Sequence, residues 1–372
     1  MKKILIITPD SGYFLREYIN YVLDESDYDV TVMAIQSIDE SSVDRKVTQY
    51  ALNNKDHKII FLRFINYYSR IQKFLPQIGT YDIVHIQFMD RRMLKLSYPV
   101  WSKAKKLIVT FWGSDLLRVN RRCIDSYIGA LTKAGKIILM SESMRTAFKN
   151  KYQGAYLDKT EVIDFGNGQL DTIKKLRECY KTEEIKEEWS VNDRKIVIHI
   201  GYNGIPEQQH IPILDALSKL PPDIQDKIFL VLPFNYGGHT DYHEAVKRKL
   251  RGMKFDYLFV EDFYEGLKLA KFRMMPDIVI YAQTTDALSC SITEYLYAGA
   301  LLVKPSWLDY TDFEDQGLYD ITYDKIEEVT GIIQELIVKG IPDKRVLQKK
   351  ADFLYEMKSW NSEKAKWQQL YE

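Results

Sequence analysis

The feature that most limits the fold is a pattern that occurs twice. Short apolar, β-branched runs alternate with longer amphipathic stretches, and the alternation stops and then starts again. In the first half the runs are Lys3–Thr8, Val30–Ile35, Ile59–Arg63, Ile83–Gln87, Leu107–Phe111 and Ile137–Met140. Runs such as Ile4-Leu5-Ile6-Ile7 lack the polar alternation of a strand with one wet face. They suit parallel strands covered on both sides. The stretches between them, Tyr13–Leu23 and Arg122–Leu131 for instance, carry helical spacing, and strand and helix in alternation imply a doubly wound sheet. The restart follows the charged, poorly apolar stretch Lys181–Arg194. It brings Ile196–Ile200, Ile228–Leu232, Tyr257–Val260, Ile278–Tyr281 and Leu301–Val303, with helical patterns such as His210–Leu220 and Tyr242–Leu250 between them. The expectation is an α/β chain of two Rossmann-like domains, residues 1–185 and 195–350. One large α/β domain with insertions is the alternative, and the clean start at Ile196 speaks against it. The last stretch, Val346–Tyr371, is helical by period and carries Trp360, Trp367 and Tyr371. Residues 351–372 are expected to cross back onto the first domain, or to pack on their own.

A length of 372 residues fits two domains, and 46% hydrophobic with 28% charged residues can bury a large core. The net charge of zero gives no global argument for nucleic acid, and none is expected as a partner. The charge is unevenly spread, however: residues 56–151 hold 18 Lys and Arg against 6 Asp and Glu. Such an excess suggests a face that meets anionic material. Arg91-Arg92, Lys103, Lys105 and Lys106, and Arg118, Arg121 and Arg122, with Phe61, Phe64, Tyr67, Tyr68 and Phe74 nearby, describe attachment to an anionic membrane surface. Ordinary solvated helix faces are the plainer reading. Cys123, Cys179 and Cys290 are odd in number and far apart, as in a reduced, cytoplasmic chain. The opening MKKILIITPD has too short an apolar run for a signal peptide, and no stretch has the length of a membrane span. The expected location is cytoplasmic, peripheral on the inner membrane face.

In open parallel sheets, ligands bind beyond the carboxyl ends of strands. The loop Thr284–Ser291, TTDALSCS, follows one strand and leads into a helical SITEYLYAG. A helix start there offers backbone N–H groups to a phosphate. Asp286 and Glu294 stand eight apart, and a carboxylate in the first turn can accept from ribose hydroxyls. Ser291-x-x-Glu294 is equally a capping box. Gly201 and Gly204 permit close backbone approach, or make a plain strand-to-helix turn. Gly237-Gly238-His239 is a second such turn. His210 and His239 can donate to a phosphate, or are structural. In the first half, Asp115 past a strand end is the candidate base or hydroxyl-orienting carboxylate, with helix capping the alternative. His85, in DIVHIQF, is the second catalytic candidate, or a buried strand histidine. Gly12 lies in the first loop.

Asp286-x7-Glu294 followed by YLYAGALLV resembles the donor-site signature of GT-B glycosyltransferases, with Asp286 where the group-1 branch has Glu. TFWGSD (Thr110–Asp115), KIILMSESM (Lys136–Met144), VIDFGNG (Val162–Gly168) and SWNSEKAKWQQLYE at the end resemble the same family in the same order. WGSDLL (Trp112–Leu117), HIGYNGIPEQQHIPILDAL (His199–Leu217) and LPFNYGGHTDYHEAV (Leu232–Val246) look more like the lipid-linked acetamido-fucose transferases. The resemblance implies two Rossmann-like domains facing a cleft, the first binding a saccharide or lipid-diphosphate-linked acceptor through Gly12 and Trp112. It implies that the second binds a nucleotide-diphosphate sugar through Gly201, Asn203, Gly204, His210, Asn235, Asp286, Ser289, Ser291 and Glu294. Glu294 would take the ribose, and the Ser289–Ser291 backbone the diphosphate. The Arg and Lys that the group-1 branch places on the first loops of that domain have no counterpart: none lies between Lys195 and Lys219. No metal and no cofactor are expected; Asp27-Tyr28-Asp29 reads as a surface turn. The rivals are a sugar-nucleotide epimerase, a catalytically silent partner subunit of the same fold, and a dinucleotide oxidoreductase, which lacks its GxGxxG.

Overall fold

A computed structural model describes residues 1–9, 12–24, 28–35, 43–44, 47–51, 68–74, 79–192, 195–237, 240–286, 288–308, 310, 318 and 321–372. The chain divides into two compact units, Met1–Gly166 with Trp360–Glu372, and Asn167–Ser359. The division falls at 166/167 rather than at 185, because the helix Gln169–Cys179 buries Leu170, Ile173 and Leu176 in the core of the second unit.

Among the described residues the first unit has a seven-stranded parallel sheet. Its strands are β1 (Lys2–Ile7), β2 (Tyr28–Ala34), β3 (Thr48–Ala51), β4 (Ile83–Gln87), β5 (Lys106–Thr110), β6 (Lys136–Leu139) and β7 (Thr160–Val162), in the order β3-β2-β1-β4-β5-β6-β7. Ile4 to Ile7 are all fully buried, as expected of a central strand with both faces covered. The strand expected at Ile59–Arg63 lies outside the described residues, as do Phe61, Phe64, Tyr67, Asp27 and His239. Tyr28 and Asp29 open β2 rather than forming a turn.

The second unit has strands β8 (Ile196–Ile200), β9 (Ile228–Pro233), β10 (Asp256–Val260), β11 (Ile278–Ile280), β12 (Leu301–Pro305) and β13 (Thr322–Tyr323), in the order β10-β9-β8-β11-β12-β13. Alternate residues face two separate cores. Val197, Val231, Val279 and Leu302 join one; Ile198, Leu230, Ile278 and Leu301 join the other. In each unit the strand order reverses at one place, β1/β4 in the first and β8/β11 in the second. A doubly wound sheet binds its ligand at that reversal, beyond the carboxyl ends of the strands.

The single helix expected over 346–371 is broken into Lys344–Lys350, Phe353–Lys358 and Trp360–Gln369. The last belongs to the first unit, where Trp360, Trp367 and Tyr371 are fully buried. Trp367 donates to the Asp164 carbonyl at 2.8 Å, and Trp360 donates to the Glu17 carboxylate at 3.0 Å. Tyr18 stacks edge-on against both indoles. Truncation of Trp367 to alanine is expected to cost about 3–5 kcal/mol of the first unit's stability, read by urea unfolding. A loss under 1 kcal/mol would mean that this segment does not hold the core.

Candidate functional site

At the β8/β11 reversal the two loops are tied together. Gly201 N donates to the Ile280 carbonyl at 3.0 Å, Thr284 N to the Glu207 carbonyl at 3.1 Å, and Gln208 Nε2 to Gln283 Oε1 at 2.7 Å. Tyr281 donates to that same Gln283 oxygen, and Tyr202 stacks on the Tyr281 ring at 5.7 Å. Leu288 and Gln209 hold φ of 66° and 55°, rare for non-glycine residues and worth roughly 1–3 kcal/mol of strain each. Both stand just before a helix, Cys290–Tyr297 and His210–Leu217 respectively.

The structure brings Gly201, Asn203, Gly204, Asp286, Ser289 and Ser291 to these loops and helix starts, and Asn235 to the adjoining end of β9. Several have duties in the loops themselves. Gly201 has φ +65°, and a Cβ on it would meet Gln208 Oε1 at 2.7 Å. A Cβ on Gly204 would meet the His243 ring nitrogen at 2.5 Å. Both positions are therefore fixed by neighbours of their own chain. Asn203, nearly buried, accepts from Ile205 N at 3.2 Å. Asp286 accepts from Ser289 N and from the Tyr310 hydroxyl, at 2.9 and 2.7 Å, and so shapes the turn into the helix. Asn235 keeps a buried side-chain oxygen with no hydrogen-bond partner. His210 is fully buried, with its Nδ1 at 3.1 Å from the Tyr242 hydroxyl. Burial pulls its pKa down to about 3, so the ring is neutral, packed beneath the Gly201 turn rather than presented to a phosphate.

The capping box does not form. The helix starts at Cys290 with Ser289 as its N-cap, which puts Ser291 and Glu294 inside it. Both side chains turn instead to Arg273, on the helix Gly266–Met274. Arg273 Nε meets Glu294 Oε2 at 2.7 Å, its NH1 meets the Tyr295 hydroxyl at 2.6 Å, and its NH2 meets Ser291 Oγ at 2.9 Å. Asn167 Nδ2 donates to the other Glu294 oxygen at 3.2 Å, and Tyr295 continues the chain to His199 Nδ1 at 2.9 Å. Both oxygens of the residue expected at the ribose are thus engaged by the protein. Arg273 is the residue that sequence reasoning missed. Its only signal is a charge set among apolar neighbours, Phe272-Arg273-Met274-Met275.

At the β1/β4 reversal, Asp115 is 1% exposed and bonds only backbone. Oδ1 accepts from Trp112 N and Gly113 N, both at 2.9 Å, and Oδ2 accepts from Met89 N at 2.8 Å. It clamps the loop after β4 to the loop after β5. Beside it lie the half-buried rings of Phe14, Phe88 and Trp112, with Phe14 and Trp112 5.4 Å apart, and the Trp112 Nε1–H is buried without a partner. Phe88, at the end of β4, also carries a positive φ of 69°. Gly12 caps the helix Tyr13–Tyr21 at the end of the first loop. His85 does not reach this edge. It sits inside β4, fully buried, with Nδ1 at 2.7 Å from the Tyr371 hydroxyl and Nε2 at 2.7 Å from Thr110 Oγ1. Burial lowers its pKa to about 3, so the ring is neutral, and its bond to Tyr371 ties β4 to the C-terminal segment. Among the described residues no three His, Cys, Asp or Glu side chains are grouped to hold a metal ion.

Two predictions follow from these bonds. Arg273→Met leaves the Glu294 carboxylate buried and unpaired, a loss of about 3–5 kcal/mol. The Arg273→Met/Glu294→Met pair is expected to lose less than Arg273→Met alone, read by denaturant unfolding in a double-mutant cycle. Burial raises the Asp115 pKa to about 6 from 3.8, against three backbone donors. A raised folded-state pKa means that the native state holds the proton more tightly. Its stabilising contribution is therefore complete below about pH 4 and fades as pH rises through 6. The difference in stability between wild type and Asp115→Asn is expected to change by up to ~3 kcal/mol across that window, measured by urea unfolding at stepped pH.

No family model and no curated protein sequence matches this chain. Solved structures match it end to end. A glycosyltransferase from Rickettsia africae ESF-5 has 16% identity and a TM-score of 0.74, covering 100% of this chain and 99% of that one. HepE of Anabaena, in complex with UDP-glucose, has 14% identity and a TM-score of 0.75 over 100% and 99% of the chains. Sucrose-phosphate synthase of Thermosynechococcus elongatus has 11% identity and a TM-score of 0.75 over 100% and 98%. Two parallel, doubly wound sheets with this strand order, matched along the whole chain by such structures, make this a GT-B fold of two Rossmann-like units.

Proposed function

We propose that the chain is a glycosyltransferase that moves a sugar from a nucleotide-diphosphate sugar to a saccharide acceptor. The observation that carries this reading is the full-length likeness to HepE of Anabaena, whose structure is a complex with UDP-glucose. The local chemistry agrees with it. The helix Cys290–Tyr297, which begins at the β8/β11 reversal, turns its positive dipole end to a diphosphate. That arrangement meets the charge that grows on a leaving diphosphate. The loop after β8 has no Lys or Arg to share the task. In this reading the Ser289 end of the helix faces the diphosphate, and Asn203 and Asn235 lie toward the nucleotide. Glu294 works from beneath, by holding the helix through Arg273. Trp112, Phe14 and the Gly12 turn form the acceptor side, with Asp115 setting their loops. The finer proposal is a lipid-diphosphate-linked acceptor, an acetamido sugar, a role in surface polysaccharide synthesis at the inner membrane face, and turnover without metal or cofactor.

A second reading has one observation in its favour. Both ring nitrogens of His85 are bonded within the unit, and Asp115 is buried on three backbone N–H groups, as in a partner subunit that binds nucleotide sugar without turnover.

The test is calorimetric titration with UDP, dTDP and GDP in EDTA, beside Ser289→Asp. Aspartate keeps a good N-cap but sets a negative charge where the diphosphate would lie. One nucleotide is expected to bind and raise Tm, with binding weakened at least ten-fold in the variant. Failure of all three nucleotides would sink both readings. Binding with no release of nucleoside diphosphate from any nucleotide sugar, lipid-linked acceptors included, would favour the partner subunit.

A further inference from the structure

Two neighbouring helices of the first unit, Arg91–Trp101 and Arg121–Lys133, pack against one another. Each buries one face and shows a basic stripe on the other. On the first, Arg91, Lys95 and Tyr98 follow the spacing i, i+4, i+7 and are exposed, with Arg92 beside them. On the second, Arg121, Asp125 and Ile128 form one exposed stripe, and Arg122, Ser126, Gly129 and Lys133 form the next. A Cβ on Gly129 would lie 3.8 Å from the Trp101 ring, and Tyr98 meets that ring edge-on at 5.0 Å. The contact brings the two exposed apolar side chains, Tyr98 at 58% and Ile128 at 42%, to the same part of the surface, around Trp101.

Six cations, Arg91, Arg92, Lys95, Arg121, Arg122 and Lys133, share these helices with a single acid, Asp125, which is paired to Arg121 at 2.9 Å. Asp90 caps the first helix, accepting from Arg92 N and Met93 N with Oδ1, and its Oδ2 stands 3.5 Å from the Arg92 guanidinium in an exposed pair. Stability of the unit does not require such a surface. The apolar residues that build the core, Met93, Leu94, Leu96, Val100, Ile124, Tyr127 and Leu131, point the other way. An exposed tyrosine and isoleucine framed by arginines match a bilayer interface. There the ring and the aliphatic chain enter the headgroup layer while the guanidinium groups bond lipid phosphates.

We propose that this two-helix face docks on an anionic lipid bilayer, with Tyr98 and Ile128 inserted and Arg91, Arg92, Arg121 and Arg122 on the headgroups. The proposal names the surface behind the membrane part of the reading above. It rests on that reading only for its purpose, since lipid attachment and nucleotide binding are measured separately. No helix among the described residues is long and apolar enough to cross a membrane, so the attachment is to the surface.

The experiment is co-sedimentation with vesicles of phosphatidylcholine alone and of phosphatidylcholine with phosphatidylglycerol. Wild type is expected to sediment with the anionic vesicles only. Arg121→Ser and Arg122→Ser are each expected to weaken that affinity about five-fold. Tyr98→Ser/Ile128→Ser is expected to weaken it while leaving the salt dependence intact. A control pair, Lys349→Ser/Lys350→Ser, removes two exposed charges of the second unit and should change nothing. Unchanged Tm and nucleotide binding show that each variant is folded. Equal binding to neutral vesicles, no binding to either, or equal loss in the control overturns the proposal. None of those results bears on sugar transfer.

Discussion

Everything in this molecule depends on the burial of parallel strands on both faces. A strand such as Ile4-Leu5-Ile6-Ile7 has no side to give to water, so helices must cover both faces of the sheet. Covering both faces from one chain requires the winding to reverse once. The reversal leaves a gap between the loops of two adjacent strands. Three of the six described non-glycine residues with positive φ stand at those gaps, Phe88 in the first unit and Gln209 and Leu288 in the second, while Gln153, Tyr156 and Ser190 lie elsewhere. Strain of this kind persists only where surrounding bonds over-determine it. Here those bonds are the Asp115 clamp and the Gln208–Gln283 and Asp286–Ser289 contacts.

The second unit solves a problem that burial creates. The helix Cys290–Tyr297 is buried along its whole length, and Glu294 is carried inward with it. An isolated carboxylate there would be costly. Arg273 answers it from the neighbouring helix with a fork that reaches Glu294, Ser291 and Tyr295 together. A lysine, a point charge on a flexible stem, does not make three directed bonds of this kind. The consequence is that this helix is held in place by side chains of the protein itself.

Two of the histidines that sequence reasoning put forward show why chemistry cannot be read from residue type alone. His85 and His210 are both suited to proton transfer, and both are fully buried, neutral and hydrogen-bonded. His85 lies in the middle of β4, and its bond to Tyr371 makes it an anchor for the C-terminal segment. Asp115 is at the carboxyl edge of the sheet, where it accepts from three backbone N–H groups. In each case the bonds in the structure tie the residue to a loop or a core of its own unit.

The sequence by itself determined the class of fold, because a continuous apolar run of four residues is a local fact that only two-sided burial satisfies. It also marked which loops follow strands, and so brought Gly201, Asn203, Asp286, Ser289 and Trp112 to the carboxyl edges of the two sheets. It could not say which loops meet. That depends on strand order, which is set by packing between segments far apart in the chain. The tie between Gln208 and Gln283, 75 residues apart, is therefore invisible in the sequence. So is the tie between Arg273 and Glu294, since helical period within one segment says nothing of the helix beside it. The domain boundary moved from 185 to 166 for the same reason: the charge of the stretch after Cys179 was legible, but the burial of Leu170, Ile173 and Leu176 in the second unit was not. Local pattern fixed what each segment is, and only tertiary packing decided what each side chain touches.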